Sequence, residues 1–206
     1  MPNLTELRRQ KRTEREALPK QTRLQNSLDA SRHFICTLAT LRSKKIALYL
    51  AADGELDPLP LIVRLLRLNK KIYLPVLRPG KKKALWFAEY RPDDYLRPNR
   101  FGILEPDTNR RKPIPTWGLD LIVMPLVAFS ADGTRMGMGG GYYDRTLSYQ
   151  RCRENWKRPK LIGYAHACQQ VKNLPIRNWD IPLHGIITEH GYHSFAFNHF
   201  LKETMD

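Results

Sequence analysis

Cysteine is scarce in this chain: of 206 residues only three, Cys36, Cys152 and Cys168, are cysteine. Their number is odd, their spacing is wide and no CxxC pair occurs, which argues against a disulfide framework and against a zinc knuckle. A reducing cytoplasm suits such a chain. Long apolar runs are missing too. The longest, Leu121 to Phe129, is broken by Pro125 and reaches about half of the roughly 20 residues that a membrane-spanning helix needs. Met1 to Arg12 has neither the apolar stretch nor the small-residue cleavage site of a secretory signal. Neither export nor membrane insertion is expected. Acidic residues are outnumbered, 20 Asp and Glu against 35 Lys and Arg, a formal net charge of +15. That excess draws anions in general, whether nucleic acid, nucleotide phosphates or a polyanionic small substrate, and does not choose among them. The basic residues are scattered, from Arg8, Arg9, Lys11 and Arg12 through Lys44, Lys45 and Lys81 to Lys83, to Arg110, Arg111 and Lys112. Much of the excess is therefore expected on solvated loops.

With 42% hydrophobic residues, the chain fits one α/β domain, residues 1–206, around a single core. Asn3 with Glu6 three positions later has the form of a helix capping box, and the charged segment that follows, through about Ala17, reads as a basic surface helix. Leu24, Leu28, Ile35 and Leu38 then fall at the spacings of an amphipathic stripe that packs on a core. Ile46 to Leu50 reads as a strand running into the turn Ala51-Ala52-Asp53-Gly54. Asp57 and Pro58 read as the start of a helix with Leu59, Ile62 and Leu66 on its apolar side. Lys71 to Pro75 is strand-like again, which completes a parallel crossover. Leu85 to Tyr90, Leu119 to Met124, Leu161 to Tyr164 and Gly185 to Thr188 supply further strands. The predicted fold is thus α/β, with a largely parallel central sheet flanked by helices. Arg91 to Thr116, rich in proline, asparagine and charge, reads as a long excursion across the active face.

The most informative segment is SADGTRMGMGGGYYDRTL. Gly137, Gly139, Gly140 and Gly141 let the backbone bring its N–H groups up to an anion, and a helix beginning near Tyr142 adds its positive end. This is what a phosphate site needs, although a tight surface turn has the same composition. The segment is neither a Walker loop, which ends in lysine and a hydroxyl residue, nor GxGxxG. Arg135 precedes the loop and Asp144 follows it. A carboxylate at Asp144 beside bound phosphate is repelled unless a divalent cation such as Mg²⁺ lies between them; the alternative role is a first-turn carboxylate that complements the helix dipole. His166 and Cys168 have no third ligand at usable spacing and read as strand-end packing.

The chain resembles the 5-formyltetrahydrofolate cyclo-ligase family, also called 5,10-methenyltetrahydrofolate synthetase, especially its gammaproteobacterial members. The resemblance covers nearly the whole chain through LRRQKRTEREAL, YLAADGELDPLPLI, KKIYLPVL, LDLIVMPLVAFSADGTRMGMGGGYYDRTL and IGYAHACQQVKNLPIRNWDIPLHGIIT, of which the fourth block is the most specific. It implies a three-layer fold similar to those of sugar-phosphate isomerases and CoA transferases, and a monomer acting in the cytoplasm on 5-formyltetrahydrofolate, with or without a polyglutamate tail. It implies that Arg135, Met136, Gly137, Met138, Gly139, Gly140, Gly141, Tyr142 and Tyr143 bind ATP, with Arg8 reaching the same nucleotide from the N-terminal helix (1–18). Met138 to Tyr142 also lie against the folate in this comparison, with Leu50 and Glu55 in the pterin pocket, and Asp144 and Asp180 match magnesium ligands. The family often has lysine or arginine where this chain has Leu4, and some members have lysine at the position of Gly140. Neutralisation of the transferred phosphoryl group therefore falls to Arg135 or Arg145, with Tyr142 beside them.

The implied chemistry suits these residue types. Transfer of the γ-phosphoryl group of ATP to the formyl oxygen makes that oxygen a leaving group, and the 10-nitrogen then closes the ring, so placement and charge stabilisation suffice without a side-chain nucleophile. Each residue also has a plainer role open to it. Without the family resemblance Glu55 reads first as an exposed loop carboxylate and Tyr142 and Tyr143 as core anchors, and Asp180 reads also as a helix cap or turn residue. Two rival functions stay open at this level. One is nucleic-acid binding driven by the net charge, although no specific nucleic-acid motif is present. The other is sugar-phosphate isomerisation or transfer on a related fold.

Overall fold

The apolar stretches near residues 46, 72, 122, 162 and 186 lie side by side in one sheet of the computed structural model, which describes residues 3–78, 83–152 and 158–195. Lys81 and Lys82 of the basic triplet lie outside the described residues. The helices are α1 (Leu4–Glu16), α2 (Lys20–Ile35), α3 (Leu38–Arg42), α4 (Leu59–Arg67) and α5 (Tyr142–Leu147). The strands are β1 (Lys45–Ala47), β2 (Lys71–Leu77), β3 (Leu85–Tyr90), β4 (Leu96–Pro98), β5 (Leu104–Pro106), β6 (Leu121–Met124), β7 (Ala128–Phe129), β8 (Arg135–Met136), β9 (Lys160–Tyr164), β10 (Gly185–Thr188) and β11 (Gly191–Ser194). No described helix is long and apolar enough to cross a membrane.

The main sheet runs β11-β10-β9-β6-β1-β2-β3. Its five central strands are parallel, and both edges, β3 and β11, are antiparallel to their neighbours. Such a sheet is buried on both faces, which is why its strands are continuously apolar instead of alternating with polar residues. Side chains alternate between two cores. Ile46, Leu48, Leu121, Val123 and Ile162 join Phe34, Leu61 and Leu65 on one side, while Ala47, Ile122, Met124, Leu161 and Ile186 join Leu147 on the other. Helices α2 and α4 cover the first face and α5 the second, giving three layers.

Close packing across the second face leaves no room at Gly163. A methyl group there would lie 2.5 Å from Ile186 Cδ1, 2.8 Å from Leu183 Cδ1 and 2.9 Å from Leu126 Cδ2. Gly163→Ala is therefore expected to lower the unfolding free energy by about 1–3 kcal/mol, as overpacking of a dense core does, checked by urea denaturation.

Several local expectations need correction. Asn3 caps α1 by accepting from the Thr5 and Glu6 amides, but Glu6 pairs with Arg9 and does not return to Asn3. α1 is not wholly a surface helix, because Arg15 is fully buried and Leu4 and Leu7 pack on Val127, Ala128, Met136 and Leu174. Of the stripe expected on α2, Ile35 packs on the core, but Leu24 is 58% and the more distant Leu38 67% exposed; the buried residues of the helix are Ser27, Ala30, Ser31 and Phe34. In α4, Leu59 faces water, and Leu61, Ile62 and Leu65 face the core. The excursion at 91–116 contains the hairpin β4–β5.

Strand order fixes where a ligand can enter. From β1 the chain moves one way to β2, then returns to the other side of β1 with β6. At such a reversal the connections leaving adjacent carboxyl ends diverge and open a crevice. Here the connections start at Leu48 after β1 and at Pro125 after β6.

Candidate active site

That crevice widens into a cavity of about 660 Å³. Its wall includes the β1 exit (Tyr49, Leu50, Ala52, Asp53 and Glu55), the β6 exit (Pro125 and Leu126), and the run from Arg135 to Arg145. Arg8 and Leu4 reach it from α1, Asn99, Phe101, Ile103 and Glu105 from the β4–β5 hairpin, and Arg177, Trp179 and Asp180 from the segment before β10. Every site residue expected from the sequence thus faces one space: Arg8, Leu50, Glu55, Arg135, Met136, Gly137, Met138, Gly139, Gly140, Gly141, Tyr142, Tyr143, Asp144, Arg145 and Asp180.

The glycine loop is shaped by its backbone. Gly139 and Gly141 have φ of +89° and +66°, a region that side-chain-bearing residues rarely occupy, and Gly141 caps α5 in this conformation. With only six residues, α5 contributes less dipole than a long helix. The loop is held from two sides, since Arg8 Nε donates to Gly137 O at 3.0 Å and Arg145 Nη2 to Gly140 O at 2.6 Å. Two arginines thus engage carbonyl oxygens of the loop, one from α1 and one from α5.

Arg135 is a confined cation of the cavity wall. It sits in β8, paired with Phe129 of β7; its side chain is 6% exposed, and Nη2 donates to Asp144 Oδ1 at 2.6 Å. Its Nε is buried without a hydrogen-bond partner. A buried guanidinium with an unused donor beside a glycine-rich loop is a ready contact for an anion such as phosphate.

Burial pushes the Asp180 carboxyl above its ordinary range, opposed by the Arg177 backbone N–H, while the Asp144 charge adds to the rise. The two carboxylates thus feel each other, a repulsion that a cation between them relieves. Among the described residues no group of three or more His, Cys, Asp or Glu side chains could hold a metal ion alone. Two carboxylates beside a glycine-rich loop instead suit an ion that completes its shell from water and the oxygens of a bound ligand, as Mg²⁺ does.

Glu55 is mostly shielded. Its Oε2 accepts from the Ala52 amide at 3.2 Å, and Oε1 lies 3.7 Å from the buried Arg15. Burial lifts its carboxyl above the usual range, with the Arg15 charge opposing. Tyr142 and Tyr143 do two things at once: both line the cavity and pack against the second core. The Tyr142 ring meets Phe101 edge-on, with centroids 6.1 Å apart, and its hydroxyl accepts from Arg100. His166 is fully buried, its Nδ1 3.0 Å from the Asn26 amide nitrogen, and it packs as a strand-end residue.

Sequence reasoning passed over Asn99, Phe101 and Glu105, which arrive from the hairpin, and Trp179 and Arg177, which flank Asp180. Only the Trp179–Asp180 adjacency left a local signal.

Comparison with known proteins places the chain among relatives of one family. The 5-formyltetrahydrofolate cyclo-ligase family model matches residues 2–189. A 5-formyltetrahydrofolate cyclo-ligase of Haemophilus influenzae is 42% identical over 189 residues, covering 89% of this chain and 98% of its own. That of Escherichia coli K12 is 41% identical over 179 residues, covering 86% and 95%. The NMR structure of Aquifex aeolicus 5,10-methenyltetrahydrofolate synthetase superposes with a TM-score of 0.78 at 28% identity, covering 97% of this chain and 98% of that one. The Mycoplasma pneumoniae 5,10-methenyltetrahydrofolate synthetase, at 20% identity and a TM-score of 0.72 over 91% of this chain and 99% of that one, shares the fold.

Proposed function

Because the chain belongs to the 5-formyltetrahydrofolate cyclo-ligase family and is an enzyme of that activity, we propose that it drives ring closure with Mg·ATP, the triphosphate lying on the loop 135–143. The observation that carries this reading is the confinement of Arg135, Asp144 and the glycine loop in one cavity with Glu55. Amides of Gly137 to Gly141 receive the phosphates, and Arg8 braces the loop through Gly137 O and reaches the nucleotide from α1. Asp144 and Asp180 hold Mg²⁺. The bound ion neutralises charge on the phosphates and keeps their oxygens in place. Glu55 accepts from the pterin amino and ring N–H groups, Leu50 lines the same pocket, and Tyr142 and Tyr143 offer flat faces to the ring systems.

The formyl oxygen attacks the γ-phosphorus while the bond to ADP breaks; Arg135 takes up the charge on the phosphoryl oxygens, and Arg145 holds the loop closed. The 10-nitrogen then bonds to the formyl carbon and loses its proton, and the carbon–oxygen bond breaks to release phosphate. In this reading the protein works as a monomer in a reducing cytoplasm, where its exposed thiols Cys36 and Cys152 stay reduced.

Incubation of the folded protein with 5-formyltetrahydrofolate, ATP and Mg²⁺ is expected to generate the near-ultraviolet absorbance of the methenyl product, and omission of either ATP or Mg²⁺ to abolish it. Absence of product from folded protein would sink the reading, and turnover without ATP would favour the isomerase or transferase alternative.

A further inference from the structure

We propose that Arg15, which does not line the cavity, is a positioning residue for Glu55: from inside the protein it fixes the acceptor oxygens that face the pterin and keeps them ionised. The inference rests on the reading of Glu55 as the pterin-binding carboxylate.

A fully buried arginine is rare without a partner, because desolvation of the charge must be offset. Arg15 has 0% exposure and is the one buried residue of its helix. Its Nε donates to Asp53 O at 2.8 Å and its Nη1 to Leu126 O at 3.2 Å. One guanidinium therefore ties together the two connections that leave β1 and β6 at the crevice. Its Nη2 is buried, has no hydrogen-bond partner, and lies 3.7 Å from Glu55 Oε1. Gly54, at φ +70°, lets the loop press onto α1, where a methyl group would meet Glu16 Cα at 3.1 Å and Arg15 O at 3.2 Å.

Other groups around Glu55 do not replace Arg15. Arg12 of α1 also favours the carboxylate, but it is half-exposed and pairs with Asp53. The Asp53 charge opposes ionisation. The phenols of Tyr49 and Tyr143, which also sense Glu55, are kept neutral by burial.

The test compares Arg15→Gln, Arg15→Lys, Glu55→Gln and the double variant Arg15→Gln/Glu55→Gln in steady-state assays across pH, with circular dichroism as the check on folding. Arg15→Gln is expected to raise KM for 5-formyltetrahydrofolate about tenfold while KM for ATP stays within about twofold, the loss typical of an orienting partner. The acidic limb of kcat/KM for the folate should move up by about one pH unit, because removing a nearby opposite charge raises a carboxylate pKa. Arg15→Lys, which keeps the charge but loses the planar pair of hydrogen bonds to Asp53 O and Leu126 O, should raise KM and leave the limb in place. Added to Glu55→Gln, Arg15→Gln should change the folate KM less than about twofold. If Glu55→Gln leaves the folate KM unchanged, the reading of Glu55 fails. If Glu55→Gln raises it, the Arg15 inference alone is overturned by an unmoved limb in Arg15→Gln, by equal rises in both KM values, or by an undiminished effect in the double variant. Should Arg15→Gln not fold, Arg15→Lys decides: a raised folate KM supports the inference and a wild-type value overturns it.

Discussion

Asp144→Asn is expected to lower kcat/KM by about 100-fold or more and to raise the Mg²⁺ concentration that half-saturates the reaction, whereas Asp132→Asn should leave both within about threefold. The two aspartates flank the same loop and differ in what they touch. Asp132 accepts from Ser130 Oγ at 2.6 Å and from the Thr134 amide at 3.0 Å, both through Oδ1, so it closes the β7–β8 turn. An asparagine oxygen can accept the same two bonds, which makes that exchange mild. Asp144 lines the cavity and acts electrostatically on Asp180, and an asparagine oxygen there can still coordinate but supplies no negative charge to a divalent ion. Because Asp144 also anchors Arg135, lost activity alone would not separate the metal from the anchor. The Mg²⁺ titration does, since a purely structural anchor leaves half-saturation unchanged. Equal effects of the two substitutions on both quantities would remove the metal assignment.

What could be read from the sequence depended on whether the signal was local. The parallel crossover was visible because β1, α4 and β2 are consecutive and each keeps its own period. The loop at 137–141 was visible because glycine density at that spacing needs no distant partner to be interpreted. The helix α2 misled for a physical reason. It packs through small residues, and Ser27 and Ser31 satisfy partners from elsewhere: Ser27 Oγ accepts from the Asp57 amide, and Ser31 Oγ from Arg64 Nε at 3.0 Å. A stripe of serine and alanine lets helices approach closely yet carries little hydropathy, so Leu24 and Leu38 drew attention to the wrong side. Arg15 was hidden more completely. In a segment dense with arginine nothing marks the one that turns inward, because its partners, Asp53, Glu55 and Leu126, lie some 40 and 110 residues away. The hairpin β4–β5 was masked by proline and asparagine, and so its contribution to the cavity, Phe101 against Tyr142, was missed.

The two arginines that the sequence left equivalent separate in the structure, and Arg135→Met is expected to lower kcat about 1000-fold or more, with the folate KM within about threefold, while Arg145→Met costs about tenfold. Electrostatic stabilisation of a transferring phosphoryl group depends on a donor that is already placed and shielded from water. Arg135 meets both conditions, with its backbone fixed by the β7–β8 pairing, Nη2 locked on Asp144, and a buried Nε still free to donate. Arg145 is exposed, and its Nη2 is engaged by Gly140 O, so its loss loosens the loop without removing the shielded charge. Arg135→Lys should recover only part of the rate, because an ammonium restores charge but cannot span Asp144 and a phosphate oxygen in one plane. Pre-steady-state measurement of ADP formation alongside methenyl absorbance assigns the loss to phosphoryl transfer if ADP formation slows in step with ring closure. Arg145→Met matching Arg135→Met in that step would transfer the charge-stabilising role to Arg145.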